Sequence, residues 1–534
     1  MRKFLYLLLL CFSNFSFAQF ELEHTYNDNI VTRVKLEIDG EKYYLVNAAT
    51  SQADFYNSDH SFWKSIPLPA PPQNVGFEVK IHYVSQTQIN VDNNIELIYS
   101  YYDTGLSNTF ITKVISENGS VLLTIDGASD ILLSELHGLP TKLIPYQANT
   151  KIYSFPSLIL ENAYDQNYVT RIKLPNAGEK YFALDKINNQ ALIYNSNHTL
   201  WKTIELPKPQ NSNYTFDGIS LVADSELEDD NLIKVGYCYT EWTGTETIYS
   251  GCIINENGQN LLLSQNTTSF FLSKIDGLSN KIIRTNKIPN TNNLFTSSVF
   301  NANDLSFENL YESIITRTIL ENSGEKYYTS EYPLNQEVKI YNSDHSLWKT
   351  IATPVPNENF KIVWIKNLSE NKINLDNLIE FSYTFYHNIE NVGGFYDSKV
   401  VTENGNILLT IQGSNNIFIS ELPELPNKLI SFFGGMQASI GSSRVYSLGA
   451  LNITNFTKTN ISIAPNPAKN EFEIFSTNAI VEVTIFDAIG KLVLTKKAPN
   501  VTKIGVQNLS NGIYFVKMKA DNNNQINQKI IISN

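Results

Sequence analysis

Apolar and polar residues alternate with a period of two through most of the chain, in short runs interrupted by Gly, Asn, Asp and Pro; Phe360 to Lys366 is one such run. Runs of this kind predict half-buried β-strands, and almost nothing in the sequence has the 3.6-residue period of a helix. The runs themselves recur. Asn342-Ser343-Asp344-His345-Ser346-Leu347-Trp348-Lys349-Thr350-Ile351 stands in closely similar form at Asn57 to Ile66 and at Asn195 to Ile204, so that Trp63 and Trp201 lie 138 residues apart and Trp201 and Trp348 lie 147 apart.

Each repeat opens with Thr-Arg in an apolar strand (Thr32-Arg33, Thr170-Arg171, Thr316-Arg317), then turns through Gly-Glu-Lys and an aromatic pair (Gly40 to Tyr44, Gly178 to Phe182, Gly324 to Tyr328). The Trp phrase follows and exits through prolines (Pro67 and Pro69, Pro207 and Pro209, Pro354 and Pro356), which cannot donate to a ladder. An alternating strand then leads to a polar turn carrying Asp92, Asp229 or Asp376, a strand starting near Ile95, Leu232 or Leu378, and an Asn-Gly hairpin at Glu117 to Gly119, Glu256 to Gly258 and Glu403 to Gly405. Asn-Gly predicts a tight turn with both residues at positive φ.

Three repeats, about 20–157, 158–303 and 304–451, each with at least eight short strands, fit two four-stranded sheets per repeat. Stacked around an axis, such sheets cover each other's faces. The expected fold is therefore all-β: a six-bladed β-propeller over residues 19–451. Further runs at Ile131 to Leu136, Lys142 to Tyr146 and Lys151 to Phe155 leave nine blades, or three separate β-domains, as alternatives. Residues 452–460 read as a linker. Residues 461–534 hold short, closely spaced strands, about seven, as in an immunoglobulin-like sandwich.

Composition adds three constraints. The 534 residues carry a formal charge of −13, without the basic footprint that phosphate binding needs, so nucleic acid is not an expected partner. Residues 1–18 read as a secretory signal peptide, with Arg2 and Lys3, an apolar run from Phe4 to Phe12 and Ser16-Phe17-Ala18, which predicts cleavage between Ala18 and Gln19. The apolar run is too short to span a bilayer, Leu10 disfavours a lipoprotein site at Cys11, and no later segment is a transmembrane candidate. Cys238 and Cys252 would remain after export, on the two arms of one predicted hairpin, where other repeats have Ser100 and Lys113 or Ser382 and Lys399; a disulfide is expected. With no His nearby they do not make a metal site, and no cofactor motif appears.

At the C-terminus, Pro465-Asn466-Pro467, Asp487-Ala488-Ile489-Gly490-Lys491, Leu509 to Lys517 with Gly512 and Tyr514, and the closing Lys529-Ile530-Ile531-Ile532 stand in order. This segment resembles the C-terminal (type A) sorting domain of type IX secretion cargo, with Ser533-Asn534 in place of a basic ending. The resemblance implies passage through the periplasm and outer membrane, partnership with the type IX machinery and its sorting peptidase, and release or attachment at the surface. The repeats resemble propeller-like repeats in other such cargo, for which no function is assigned.

Candidate chemistry is sparse. Asp59-His60 and Asp344-His345 could pair a carboxylate with a base, but the middle copy reads Asn197-His198, which favours a turn. Trp63, Trp201 and Trp348 could stack on sugars, although packing between blades is favoured. Arg33, Arg171 and Arg317 could converge to hold an anion, with pairing to a carboxylate the competing reading. The acidic run Glu226, Glu228, Asp229, Asp230 lacks the spacing of a calcium loop. Ligand contacts are sought instead where the copies differ, at the Trp242 hairpin tip and the Tyr386 to Phe395 insertion. These features favour an exported, non-catalytic binding protein with a glycan or surface-protein ligand. The alternatives are a polysaccharide- or peptide-degrading hydrolase or lyase on one propeller face and a structural surface component.

Overall fold

A computed structural model describes residues 20–533 apart from 28, 70–78, 90–91, 104–108, 148, 166–167, 209–213, 229, 290, 292–293, 332–335, 357–359, 375–376, 390–392, 435–440, 449–461, 477–478, 488–490 and 521–524. The expected leader, its expected cleavage site between Ala18 and Gln19, and the expected linker 452–460 lie outside the described residues. The chain divides into two compact units, residues 1–449 and 450–534.

The first unit is built from nine four-stranded antiparallel sheets, three per repeat. In chain order, sheets 1 to 8 occupy residues 32–67, 80–126, 130–163, 169–205, 214–265, 267–311, 314–352 and 361–412. Sheet 9 takes three strands from residues 414–448 and its fourth, Phe20–Tyr26, from the start of the chain. Sheets 7 and 8 also share one bridge, Glu331 to Trp364.

Nine hydrophobic clusters lie between consecutive sheets, and the last joins sheet 9 to sheet 1 through Tyr26, Ile430 and Val445 against Val31, Tyr43 and Leu45. The sheets therefore form a closed ring, a β-propeller. Six blades is the wrong count: the extra runs near Ile131, Lys142 and Lys151 make a complete third sheet in each repeat. Because every middle strand is covered on both faces, successive side chains are buried in opposite directions. Tyr43 and Leu45 face sheet 9, while Tyr44 faces sheet 2. This is why Glu96–Asp103 is buried almost without a break.

The Asn-Gly hairpins depart from expectation in their turn type. Only the glycines, Gly119, Gly258 and Gly405, have positive φ (82°, 77° and 79°), and a bulge follows each, as at Val114/Ile115. The loop is thus the three-residue form with one left-handed residue. The Trp phrase closes in the same way, with His60, His198 and His345 at the left-handed position (φ 64°, 64° and 66°).

The second unit is a seven-stranded sandwich of the expected immunoglobulin-like kind. A sheet of Ser462–Ala464, Glu471–Phe475 and Lys503–Gly505 packs on one of Ile480–Asp487, Leu492–Lys497, Gly512–Ala520 and Gln525–Ile532. Phe472, Val483, Ile485, Val516 and Met518 fill the space between them.

Candidate functional site

The repeated motifs are used up in joining sheets. Arg33 is enclosed, with Nε donating to Glu41 Oε1 at 2.7 Å and the two terminal nitrogens donating to the carbonyls of Ser420 and Pro426, both at 2.8 Å. Arg171 does the same with Glu179, Ser134 and Pro140, and Arg317 with Glu325, Ser273 and Ser279. Each guanidinium clamps a sheet to the one before it, at the 9/1, 3/4 and 6/7 seams. The anion-holding role expected for Arg33, Arg171 and Arg317 is therefore not what this geometry provides: their donors are committed to protein acceptors, and the glutamates are those of the Gly-Glu-Lys turns.

The same three seams carry a second network. His60 Nδ1 is hydrogen-bonded to Tyr26 Oη at 2.8 Å and its Nε2 lies 3.4 Å from Glu23, whose other oxygen pairs with Lys428. His198 has Tyr164, Glu161 and Lys142, and His345 has Tyr311, Glu308 and Lys281. Burial tends to raise the Glu23 carboxyl, but the hydrogen bonds from His60 and Lys428 outweigh it and hold the group below its usual value. Burial lowers His198 despite Glu161. Only the first copy adds a second imidazole, His24, stacked on His60 at 4.9 Å; burial and then the neighbouring ring hold it low.

The neighbouring acids of the phrase are turn formers. Asp59 Oδ1 accepts from the Ser61 amide and hydroxyl at 2.9 and 2.6 Å, Asp344 does so from Ser346, and Asn197 does so from Thr199. Carboxylate and imidazole thus face different partners, and no base is oriented by its sequence neighbour.

Trp63, Trp201 and Trp348 are half-buried against the 1/2, 4/5 and 7/8 clusters, each between two lysines. Lys42 and Lys64 sit 4.7 and 4.1 Å from the Trp63 ring, Lys180 and Lys202 at 4.6 and 4.7 Å from Trp201, and Lys326 and Lys349 at 4.7 and 4.6 Å from Trp348. Lys64, Lys202 and Lys349 continue across the seam to Glu117, Glu256 and Glu403 of the Asn-Gly hairpins.

The expected disulfide does not form. Cys238 pairs across the ladder with Gly251, and Cys252 with Tyr237, so the two side chains leave opposite faces of sheet 5. Cys252 enters the 4/5 cluster and Cys238 the 5/6 cluster. Both are buried free thiols, and burial pushes Cys238 up to about 12. The hairpin tip, with Trp242 opposite Thr247, sets this one-residue offset.

The acidic run is spread over separate partners: Glu226 binds Lys274 and Asp230 binds Lys234, while Asp229 lies outside the described residues. The pairing of Ser85 with Glu96 and Ala223 with Lys234 aligns Asp230, rather than Asp229, with Asp92. No group of three His, Cys, Asp or Glu side chains among the described residues is arranged to hold a metal.

The described residues also include a set of aromatic hairpins. Those joining the second and third strands of sheets 2, 5 and 8 are equivalent in the three repeats, so they lie at one face of the ring. Sheet 2 offers Tyr102 and Phe110, 4.9 Å apart. Sheet 5 offers Trp242, 59% exposed, near the Tyr214–Tyr239 pair. Sheet 8 offers Phe395, 43% exposed and stacked on His387, with Tyr386 against Tyr396. A separate cavity of about 620 Å³ is lined by Glu37, Tyr83, Glu135 and His137, but Glu37 already accepts from the Ser85 hydroxyl and the Gln86 amide.

In the second unit the sorting-motif residues lock the sandwich. Asn466, between Pro465 and Pro467, accepts from the Ile531 amide and donates to the Lys529 carbonyl, both at 2.9 Å. Asp487 closes its hairpin on the Lys491 amide, and Tyr514 Oη donates to Ser510 O at 2.9 Å, two residues beyond which Gly512 begins a core strand. Gly490 lies outside the described residues.

No helix among the described residues is long and apolar enough to cross a membrane. A search of curated proteins finds no match to the chain. Among solved structures, similar chains include the Dos1 propeller (11% identity, 80% of this chain and 95% of that one, TM-score 0.37), a eukaryotic initiation factor (8%, 88% and 99%, 0.43) and BamB from Moraxella catarrhalis (8%, 70% and 98%, 0.33). Residues 462–533 match the secretion system C-terminal sorting domain. The protein is thus a β-propeller carrying a type IX sorting domain, and it is exported to the cell surface or beyond.

Proposed function

We propose that the propeller is a non-catalytic binding platform which presents the aromatic hairpins of sheets 2, 5 and 8 to a glycan or a surface protein outside the cell. The observation that carries this reading is a division of labour among the repeats. Where the three copies agree, their polar residues are spent on seams; where they differ, Trp242 and Phe395 stand exposed on hairpins at one face. Aromatic faces bind sugar rings and peptide side chains over a large area at low entropic cost.

The test is a glycan array and a surface-protein binding screen on the chain without its leader, set beside Trp242→Ala/Phe395→Ala. Binding should fall at least tenfold in the double variant with an unchanged melting temperature. Undiminished binding would move the ligand elsewhere, and turnover of any polysaccharide or peptide in a parallel hydrolysis screen would replace this reading with the enzymatic one. The periplasmic step of the route is part of the same proposal. Removing residues 461–534 should leave the protein in the periplasm, and its appearance outside the cell would refute that step.

A further inference from the structure

The hairpin joining the second and third strands of sheet 6 stands beside that of sheet 5, at the face that carries the aromatic hairpins. The Asn266 amide donates to the Tyr249 carbonyl and the Lys287 amide to the Asn266 carbonyl, both at 2.7 Å, and the Lys287 ammonium lies 5.1 Å from the Tyr249 ring. The sheet 6 hairpin closes with the Ile288 amide on the Leu294 carbonyl at 2.9 Å.

Across the 6/7 seam, sheet 7 departs from its equivalents in the other repeats. In sheets 1 and 4 the ladder between the second and third strands runs from Lys42 with Asn57 and Lys180 with Asn195 out to Asn47 with Gln52 and Asp185 with Gln190. In sheet 7 it begins alike, at Lys326 with Asn342, but its described pairs end at Tyr328 with Ile340. Glu331, which stands where Asn47 and Asp185 do, pairs instead with Ile314 of the first strand and with Trp364 of sheet 8. A cavity of about 340 Å³ lies at this opened end, lined by Ile288, Leu294 and Phe295 from the sheet 6 hairpin and by Glu312, Ile314 and Glu331 from the sheet 7 side. Apart from Thr296, the polar groups in it are the two glutamates, both exposed. Glu312 forms no ion pair among the described residues. Lys366 senses the charge of Glu331, but its ammonium donates to Asn416 Oδ1 at 3.0 Å.

We propose that this cavity anchors an apolar side chain flanked by Lys or Arg on a protein partner. The inference rests on the reading of this face as a binding platform, and it chooses between the two ligand classes named there. A sugar ring would bring its hydroxyls against Ile288, Leu294, Phe295 and Ile314, where they find no partners and lose their water. An apolar side chain gains from the same lining, and a cation beside it meets the carboxylates of Glu312 and Glu331. The volume is at the lower end of the roughly 300–1,000 Å³ of small-ligand sites, which suits a single anchoring group.

The test is isothermal titration of the chain without its leader with the peptide acetyl-Lys-Phe-Lys-amide, with phenylbutylamine and with its neutral counterpart phenylbutanol. The peptide and the amine should bind, and the alcohol at least fivefold more weakly than the amine. Leu294→Asn changes a residue that is 39% exposed, so it should keep the melting temperature while weakening peptide and amine at least fivefold. Glu312→Gln/Glu331→Gln should bring the amine down to the level of the alcohol. If that double variant fails to fold, the ratio of amine to alcohol binding by the wild type decides the charge preference alone. Trp242→Ala/Phe395→Ala should leave the binding of all three probes unchanged, so the cavity and the aromatic platform can fail separately. Absence of peptide binding, an alcohol that binds as well as the amine, or a Leu294→Asn protein that binds like the wild type would overturn the proposal. Amine binding without peptide binding would give the cavity to a small hydrophobic amine and overturn the protein-borne anchor.

Discussion

Of the three kinds of seam that recur around the ring, two hold sheets together by different means. At 9/1, 3/4 and 6/7 the interface is directional: an enclosed arginine reaches two carbonyls of the preceding sheet, and a Tyr–His–Glu–Lys chain lies beside it. At 1/2, 4/5 and 7/8 it is mainly an apolar cluster, deepest at Tyr99, Tyr237 and Tyr383, rimmed by a Trp between two lysines. Apolar area does not dictate register, whereas a guanidinium with fixed donor directions accepts only one position of its neighbour. The first kind of seam fixes how its two sheets align, whereas the second relies on buried apolar area.

The comparison breaks most visibly at the arginines. Arg171→Ala leaves Glu179 and two carbonyls enclosed without their donor, and should cost about 3–5 kcal/mol. Thermal or denaturant unfolding would measure it, and Glu179→Gln in the same chain should recover part of the loss. At the other seam, Trp201 is only half-buried, so Trp201→Ala should cost about 2–3 kcal/mol, below the value for a fully enclosed aromatic, and Trp201→Phe less still. A larger loss at Trp201 than at Arg171 would reverse the assignment of roles.

Much of this was readable in the chain because the repeat exposes it. Thr-Arg, Gly-Glu-Lys, the Trp phrase and Asn-Gly marked strands and turns at equivalent places, and the sandwich was legible through its sorting motifs. Blade number was not, since the third sheet of each repeat has short strands such as Lys151–Ser154 and no shared phrase to count by. The arginines could be seen as a set, but not as clamps: their acceptors are main-chain carbonyls up to 393 positions away, and a carbonyl has no sequence signature. The cysteines misled because facing strands were inferred without their register, and a shift of one residue sends a side chain to the other face.

The histidines sharpen the directional seam. Each occupies a left-handed position that the equivalent Asn-Gly turns fill with glycine, and each makes up for that strain through its ring contacts. His198→Ala removes the contacts and keeps the strain; His198→Gly removes both. The glycine variant should be the more stable of the two by about 1 kcal/mol, measured by unfolding. Equal stability would mean that the turn is not strained.

Acid should loosen the same seam. His24 and His198 are held below the usual histidine value, so the unfolded chain binds more protons than the folded one just below pH 6.5. Their contribution is complete above that pH and is lost as pH falls through their folded values. Glu23, held below 4.5, loses its contribution only in stronger acid, through its own folded value. The other two copies carry Asn162 and Asn309 where the first has His24. His24→Asn should therefore flatten the stability profile just below pH 6.5 and leave the fall below 4.5 in place; an unchanged slope would show that the stacked pair does not sense pH.

The smallest expected effect falls within the apolar seams. Cys238 and Cys252 fill neighbouring clusters as small apolar groups, and a bond between them would require sheet 5 to turn one arm over. Reductant should leave the melting temperature of the chain without its leader unchanged, and a thiol reagent should label both cysteines only after denaturation. Cys238→Ser should destabilise it modestly, because a hydroxyl in the 5/6 cluster exchanges a weakly polar atom for one that needs a hydrogen bond. A reductant-sensitive melt would mean that the strands pair in another register.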